Sequence, residues 1–320
     1  MKAMVVSEVG GPEKLELKEI ARPEPKKGEA LVKLALSGVN FIDIYFRTGL
    51  YKAPLPLVPG MEGAGVVEAV GEGVSEVQPG DRVAYCMNRG SYAEYAVVNA
   101  WQLMKIPDGI TDEQAAAVML QGMTAHYLTH STFSLKEGDT ALLHAAAGGT
   151  GMLIAQMARM RGARVIGTVG SREKAAKALC DEVVVYTEQD FEAEVKRLTG
   201  GRGVDVVYDS VGATTFEKSL NSLRPRGMMV TFGNASGAVP SMEPLVLSQK
   251  GSLFLTRPTL AHYCLDRQEL EWRAGDVLGW VASGKLSVHI ERVYPLEQVA
   301  QAHIDLAGRK TTGKLLVRIG

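Results

Sequence analysis

Cysteine is scarce in this chain of 320 residues: Cys86, Cys180 and Cys264 lie far apart with no C-x-x-C pair. That spacing offers neither a disulfide framework nor a zinc knuckle, and it predicts buried, inert thiols. No apolar run reaches bilayer-spanning length, and the opening MKAMVVSEVGGPE meets an acid and paired glycines before a signal-peptide core builds up. The expectation is a cytoplasmic protein with no membrane partner. A charge excess of either sign is missing too, the net being −1, which removes the electrostatic reason to expect nucleic acid. No G-x-S-x-G elbow occurs, so a serine hydrolase is set aside. What is present is ordinary for a globular chain: 46% hydrophobic and 22% charged residues, in a length beyond one usual domain.

Turn chemistry at Gly10, Gly11, Pro12, Pro23, Pro25, Gly28, Pro59, Gly60 and Pro79-Gly80-Asp81 divides the first hundred residues into short strands at 1–9, 30–40, 63–74, 81–86 and 91–98. Helical periodicity is scarce there, which predicts a small barrel-like β domain. Thr111 reads as the N-cap of an Ala-rich helix, and beyond it strand and helix patterns alternate. Strands are expected at 141–146, 163–169, 182–186, 204–209, 227–232 and 252–255, and this alternation favours a parallel doubly wound sheet of the α/β class. After about residue 262 comes a long helical stretch, then 286–296 and 313–320 as strands returning to the first domain. The domain reading is 1–122, then 123–260, then 261–320 back in the first.

The most informative segment runs from Thr140 through His144-Ala-Ala-Ala-Gly-Gly-Thr-Gly151 into a helical pattern. Against G-x-G-x-x-G, Ala146 takes the first place while Gly148 and Gly151 fill the second and third. Gly148 lets backbone approach a pyrophosphate, Gly151 permits close helix-on-strand packing, and the helix beginning near Thr150 offers free N–H groups to an anion. Where the next strand ends, an NAD enzyme usually places an acid on the ribose hydroxyls. This chain has Gly170-Ser171-Arg172-Glu173-Lys174 there, a hydroxyl and two cations suited to a 2′-phosphate, so NADP is expected over NAD.

Further motifs extend the pattern across nearly the whole chain: Gly38-Val-Asn40-Phe-Ile-Asp43-Ile-Tyr45, Gly49-Leu-Tyr51, Pro59-Gly60-Met61-Glu62-Gly63-Ala-Gly65, Tyr208-Asp-Ser-Val-Gly212, Phe232-Gly-Asn234-Ala-Ser236-Gly237 and Leu255-Thr-Arg257-Pro258. With these the sequence resembles the zinc-independent quinone oxidoreductases related to zeta-crystallin, of the medium-chain dehydrogenase/reductase superfamily. The resemblance implies a Rossmann domain plus a GroES-like, mainly β catalytic domain. It also implies NADPH as cofactor, a small quinone as substrate, and a homodimer formed through the strand at 252–255.

In the zinc-dependent branch of that superfamily a Cys in the segment matching 38–43 and a His in the segment matching 60–62 hold metal. Neither residue occurs here, Met61 standing in the place of the His, and no metal is expected. His126 and His130 share one helix face, yet no glutamate lies between them and no third ligand is evident, so packed histidines are expected.

Carried over residue by residue, the resemblance puts Lys174 and Tyr186 around the adenosine 2′-phosphate with Gly170 and Ser171. Gly148, Gly149 and Thr150 meet the pyrophosphate. Ser210 and Asn234 lie along the nicotinamide half, Phe254 and Thr256 present strand backbone to the carboxamide, Arg309 closes over the adenosine side, and Thr124, Ala147, Phe232 and Ser236 complete the coenzyme-binding set. Asn40, Tyr45 and Tyr51 replace the metal ligands and overlook the nicotinamide, where either tyrosine can donate to the acceptor oxygen, while Asp43 and Glu62 read as buried partners. Reduction of an activated C=C bond in an enone, alkenal or enoyl thioester is the alternative enzyme reading. A structural or RNA-binding relative of zeta-crystallin is the alternative of another class, disfavoured by the balanced charge.

Overall fold

The structure is a computed structural model that describes all 320 residues. It divides into two compact units, Met1–Met123 with Cys264–Gly320, and Thr124–Tyr263.

The first unit begins with a two-stranded ribbon, β1 (Lys2–Val5) and β2 (Glu16–Glu19), followed by β3 (Glu29–Val39), α1 (Phe41–Thr48), β4 (Glu62–Val70), β5 (Arg82–Cys86), β6 (Tyr95–Asn99), β7 (Met104–Lys105) and all but the last four residues of α2 (Asp112–Tyr127). β1, β3, β4, β5 and β6 overlap the five expected strands, and β2 and β7 are additional. The helix α1 is not in the sequence reading, because FIDIYF is aromatic and β-branched and looks like a strand. Its ends overrule that propensity: Asn40 is the extended N-cap, its N–H donating to Asp43 Oδ2 (2.9 Å), and Gly49 closes the helix at φ 80°. Thr111 caps α2 as expected, its Oγ1 accepting from Gln114 N (3.1 Å) while Thr111 N donates to Gln114 Oε1 (3.0 Å).

In the second unit β8 (Thr140–Leu143), α3 (Gly149–Met160), β9 (Arg164–Val169), α4 (Arg172–Ala175), β10 (Glu182–Val185), α5 (Phe191–Leu198), β11 (Val204–Asp209), α6 (Phe216–Ser222), β12 (Leu223–Thr231), α7 (Leu245–Gln249) and β13 (Phe254–Thr256) alternate. All six strands are parallel, in the order β10-β9-β8-β11-β12-β13. This is the doubly wound arrangement, whose ligand crevice lies at the carboxyl ends of the strands where the order reverses, here between β8 and β11. The central strands β8 and β11 are buried at every residue, which is why TALL and VDVVYD read as continuous runs without alternation. At the edge, β13 keeps Phe254 and Leu255 exposed.

The chain then returns to the first unit as α8 (Arg267–Ala282), β14 (Ile290–Pro295), α9 (Val299–Ala307) and β15 (Lys314–Arg318). β15 pairs antiparallel with β3, giving a sheet in the order β14-β15-β3-β4-β5-β7 with β6 also on β3. The last strand thereby brings Lys314 to the middle of the sheet, one pairing step beyond Val39 and next to Asn40.

Candidate active site

In the second unit β8 ends at Leu143, and its neighbours grip the turn that follows: His144 N donates to Tyr208 O on β11 and Ala146 N to Thr168 O on β9. Ala145, not a glycine and not Ala146, takes the left-handed conformation at φ 53°. Gly148 is the N-cap of α3 and carries no side chain to bond the first turn, so the N–H groups of Gly149, Thr150 and Gly151 have no carbonyl one turn back. Gly151 is required by space, since a Cβ there would lie 2.4 Å from Ala145 O. The turn is therefore an anion cradle whose floor is backbone.

Beside it β9 ends at Val169, and Ser171 caps the short α4, accepting from Lys174 N (3.3 Å). Tyr186, held by its N–H on Val169 O, lays its hydroxyl at Gly170, so that Gly170, Ser171, Lys174 and Tyr186 form one group. Arg172 turns outward to Glu188 (2.8 Å). No acid occupies the β9 tip before Glu173 in α4.

On the other side of β8, Asp209 ends β11, its Oδ1 accepting from Val211 N (2.7 Å) and Gly212 N (3.0 Å). Ser210 thus sits in a carboxylate-braced loop. That loop touches the one following β12 backbone to backbone, a Cβ on Gly233 lying 2.3 Å from Ser210 O. Phe232 N donates to Asp209 O. Ser236 is a tie between these loops, donating to Val211 O (2.8 Å) and accepting from Thr214 N (3.1 Å). Arg257, not singled out from the sequence as a site residue, donates to Thr231 Oγ1 (3.1 Å) and Gly233 O (2.8 Å) and, in the amide orientation that satisfies both neighbours, to Asn234 Oδ1 (3.1 Å). Asn234 and Ser236 therefore spend side-chain hydrogen bonds on loop shape.

Thr256 pairs with Val230 and Phe254 with Met228 on the edge strand, and Thr124 opens the unit half-buried. Ala147 is buried. Arg309 belongs to the first unit, exposed after α9 at φ 52°. The rings of His126 and His130 stack (centroids 4.3 Å apart, 7° between planes).

The first unit holds a buried polar cluster. Glu62 Oε1 meets Lys314 Nζ and accepts from Asn40 Nδ2 (2.7 Å), while Oε2 accepts from Leu120 N (2.7 Å). Asn40 Oδ1 accepts from Lys314 Nζ (2.8 Å), so both ends of the Asn40 amide point into this network. Tyr45 and Tyr51 pack edge to face (5.2 Å, 60°), Tyr45 nearly buried and Tyr51 half-buried. Behind them Tyr92 OH lies 3.0 Å from Asp43 Oδ2 and 3.2 Å from His303 Nε2.

Burial raises the Asp43 carboxyl to about 7, overcoming the lowering effects of the Asn40 N–H, Tyr92 and Lys314, and with Glu62 adding to the rise. Burial, helped by Arg47, lowers His303 to about 3. Burial likewise holds Tyr92 well above its usual range and lowers Arg47.

Two regions of the chain match family models, the alcohol dehydrogenase GroES-like domain over residues 26–108 and the zinc-binding dehydrogenase over residues 180–317. A quinone oxidoreductase of Pseudomonas aeruginosa is 45% identical over 313 residues, 96% of each chain. A 2-haloacrylate reductase of Burkholderia is 41% identical across 98% of each. The Escherichia coli quinone oxidoreductase, solved in complex with NADPH, superposes with a TM-score of 0.97 at 41% identity over 99% of this chain and 100% of that one.

The ion pair between Glu62 and Lys314 is buried at both ends, so removing one partner strands a charge. Glu62→Gln and Lys314→Met should each destabilise by ~3–5 kcal/mol, with the double variant well short of the sum, in urea unfolding of the four proteins.

The Asp43 and His303 shifts give a second test. Asp43 rises from 3.8 to about 7 on folding, and alone it makes stability fall as pH climbs through that window; His303 drops from 6.5 to about 3, and alone it makes stability rise over its own. Between pH 3.8 and 6.5 the folded pair carries one proton on Asp43 and the unfolded pair one on His303, so the slopes cancel. Against wild type, Asp43→Asn should add a stability that increases with pH in this range, and His303→Gln one that decreases. Urea midpoints measured across pH check this, and equal slopes in both variants would contradict it.

Proposed function

The chain belongs to the quinone oxidoreductases of the medium-chain dehydrogenase/reductase superfamily, and on that premise we propose that it passes hydride from NADPH to a quinone with neither metal nor flavin. The observation that carries the reading is the glycine-capped turn of α3 beside an acid-free β9 tip. Gly148, Gly149 and Thr150 hold the diphosphate through backbone N–H groups, Ala147 shapes their approach, and Ser171, Lys174 and Tyr186 over Gly170 receive the adenosine 2′-phosphate. Thr124, Ser210, Phe232, Asn234, Ser236 and the strand Phe254–Thr256 line the nicotinamide half, and Arg309 is the basic residue for the adenosine side. NADPH when bound supplies the hydride.

The protein's share is to orient the acceptor, exclude water and stabilise the negative charge that develops on its oxygen. Tyr51, the more accessible of the two tyrosines, donates its hydroxyl to that oxygen, and Tyr45 braces it. Asn40 positions, since its amide is committed to Glu62 and Lys314.

A zinc ion does not fit the donor set. No group of three or more His, Cys, Asp or Glu side chains is arranged to hold a metal, and both oxygens of Glu62 are already taken by an ammonium, an amide and a backbone N–H. Three free cysteines support a cytoplasmic setting, and no helix is long and apolar enough to cross a membrane. The unpaired edge of β13, with Phe254 57% and Leu255 37% exposed, supports a homodimer that covers it. Light scattering at micromolar concentration should give twice the chain mass, and a stable monomer would overturn the dimer.

Oxidation of NADPH and NADH against 1,4-benzoquinone, 9,10-phenanthrenequinone, 2-cyclohexenone and a crotonyl thioester tests the function. NADPH with a quinone should be the preferred pair, and a chelator should leave the rate unchanged. Lys174→Ala removes a charge-assisted contact worth ~1.5–3 kcal/mol, so KM for NADPH should rise roughly 10- to 100-fold with KM for NADH unmoved. Preference for NADH in the parent enzyme, or for the C=C substrates, would replace this reading.

A further inference from the structure

A second polar network, wholly inside the parallel-sheet unit, is used by none of the steps above. His144 Nδ1 lies 2.8 Å from Thr168 Oγ1, and His144 Nε2 lies 2.9 Å from Ser219 Oγ. Ser219 Oγ in turn lies 3.3 Å from Asp209 Oδ2, which also accepts from Thr215 Oγ1 (2.7 Å). All four members of the chain Thr168–His144–Ser219–Asp209 are at most 1% exposed.

The direction of each bond follows from the carboxylate at the end. Asp209 accepts only, so Ser219 spends its one hydroxyl hydrogen there and must receive one from His144 Nε2. His144 Nδ1 is then the acceptor for the Thr168 hydroxyl. This fixes one neutral tautomer, and burial, which holds the imidazole pKa down against the pull of Asp209, favours the same form. The order of partners rules out a nucleophile. Ser219 donates into Asp209 rather than being relieved of its proton by His144, and none of the group meets solvent.

We propose that His144 is a positioning residue for the coenzyme: it fastens the loops for adenosine, diphosphate and nicotinamide into one register. The inference rests on the NADPH reading above. Thr168 stands two residues before Gly170 and its carbonyl receives Ala146 N. His144 is the last residue before the left-handed Ala145 that starts the diphosphate turn. Asp209 braces Val211 and Gly212 with its other oxygen, and Ser210 lies between. One side chain just past the end of β8 is therefore bonded toward β9 and, through α6, toward the end of β11. Packing alone asks for nothing polar here, where the ring also meets Phe191 edge-on (4.9 Å, 77°). A hydrogen-bonding group at a sealed position is tolerated only when every partner is present, so each member depends on the others.

The test uses the full chain and three variants that cut the network at different links. Thr168→Val keeps shape and loses the hydroxyl, Ser219→Ala opens the link to Asp209, and His144→Phe keeps a ring against Phe191. Thr168→Ser is the conservative control. NADPH dissociation constants are read from nicotinamide fluorescence, melting temperatures are taken with and without NADPH, and kcat and both KM values are measured with the quinone. The expected result is NADPH binding weakened about tenfold or more, ~1.4 kcal/mol, in each of the three cut variants. KM for the quinone at saturating NADPH should stay put, and Thr168→Ser should bind like the parent.

A purely structural role would lower the melting temperature and leave the dissociation constant of the folded molecules unchanged, which overturns the proposal. Should His144→Phe fail to fold, Thr168→Val and Ser219→Ala decide the matter by the same two readouts. Parent protein that binds neither NADPH nor NADH sinks the coenzyme reading itself, whereas tight parental binding with unaffected variants sinks only the role of His144.

Discussion

The N–H groups that open α3 have to be withheld from the protein if they are to meet an anion, and the surrounding turn is built to withhold them. Four helices of this chain are closed by side chains, Asp190 on α5, Asp266 on α8, Ser171 on α4 and Thr111 with Gln114 on α2, while α6, α7 and α9 have no side-chain cap. At α3 the cap is Gly148, which has nothing to give. A turn so sparsely furnished has to be held from outside. β9 and β11 do so through Ala146 N and His144 N, Gly151 admits the helix against Ala145, and Ala145 bears a left-handed conformation that costs a non-glycine residue ~1–2 kcal/mol.

The first unit meets a different constraint, which is to keep ionisable groups, Glu62, Lys314, Asp43 and His303 among them, out of water. Glu62 solves it by full employment, its two oxygens receiving donors from β15, from the cap of α1 and from α2. Three elements distant in sequence are thereby anchored to one carboxylate. Asp43, below its raised value of about 7, and His303, above its lowered value of about 3, solve it by being neutral, with Tyr92 between them able to donate to either one. In one arrangement His303 Nε2–H donates to Tyr92 and Tyr92 to Asp43; in the other the carboxylic acid donates to Tyr92 and Tyr92 to His303. Neither arrangement places a net charge on the pair when Asp43 is protonated and His303 is not.

The parallel sheet was legible because strand-length, Val-rich segments alternate with helix-length ones, and all six strands lie within a few residues of where VDVVYD, RVIGTV and their neighbours place them. The turn between β8 and α3 was legible because Gly148 and Gly151 answer to capping and to space, both local demands. α1 was not, since its aromatic and β-branched residues argue for a strand and only the Asn40–Asp43 pair and Gly49 argue otherwise. Lys314 was out of reach for a different reason. It meets Glu62 across 252 positions, and nothing in GKLLVRIG distinguishes a lysine at a strand start from one at the surface. The resemblance assigns Asn234 to the nicotinamide half and Ser236 to the coenzyme site, whereas the structure shows the side chains of both holding loops together through Val211, Gly233 and Arg257, which depends on tertiary structure.

These features share a logic that follows from the chemistry. A coenzyme that carries its own reducing equivalent asks the protein for few reactive side chains and for a great deal of registration. Of the polar groups buried here, Asp209, His144, Ser219, Glu62, Lys314 and Asn40 all satisfy one another, and a satisfied group has no proton or lone pair to offer a substrate without first breaking a bond that burial has made expensive to break. The group that gives a hydrogen bond to the acceptor must then come from a side chain that is only partly enclosed. Under the proposed function Tyr51 is the candidate, a half-buried ring that packs against Tyr45 and Phe46 just after the glycine that ends α1. On the proposed reading the deeply buried polar residues act through the positions of loops, and proton donation to the acceptor falls to the rim.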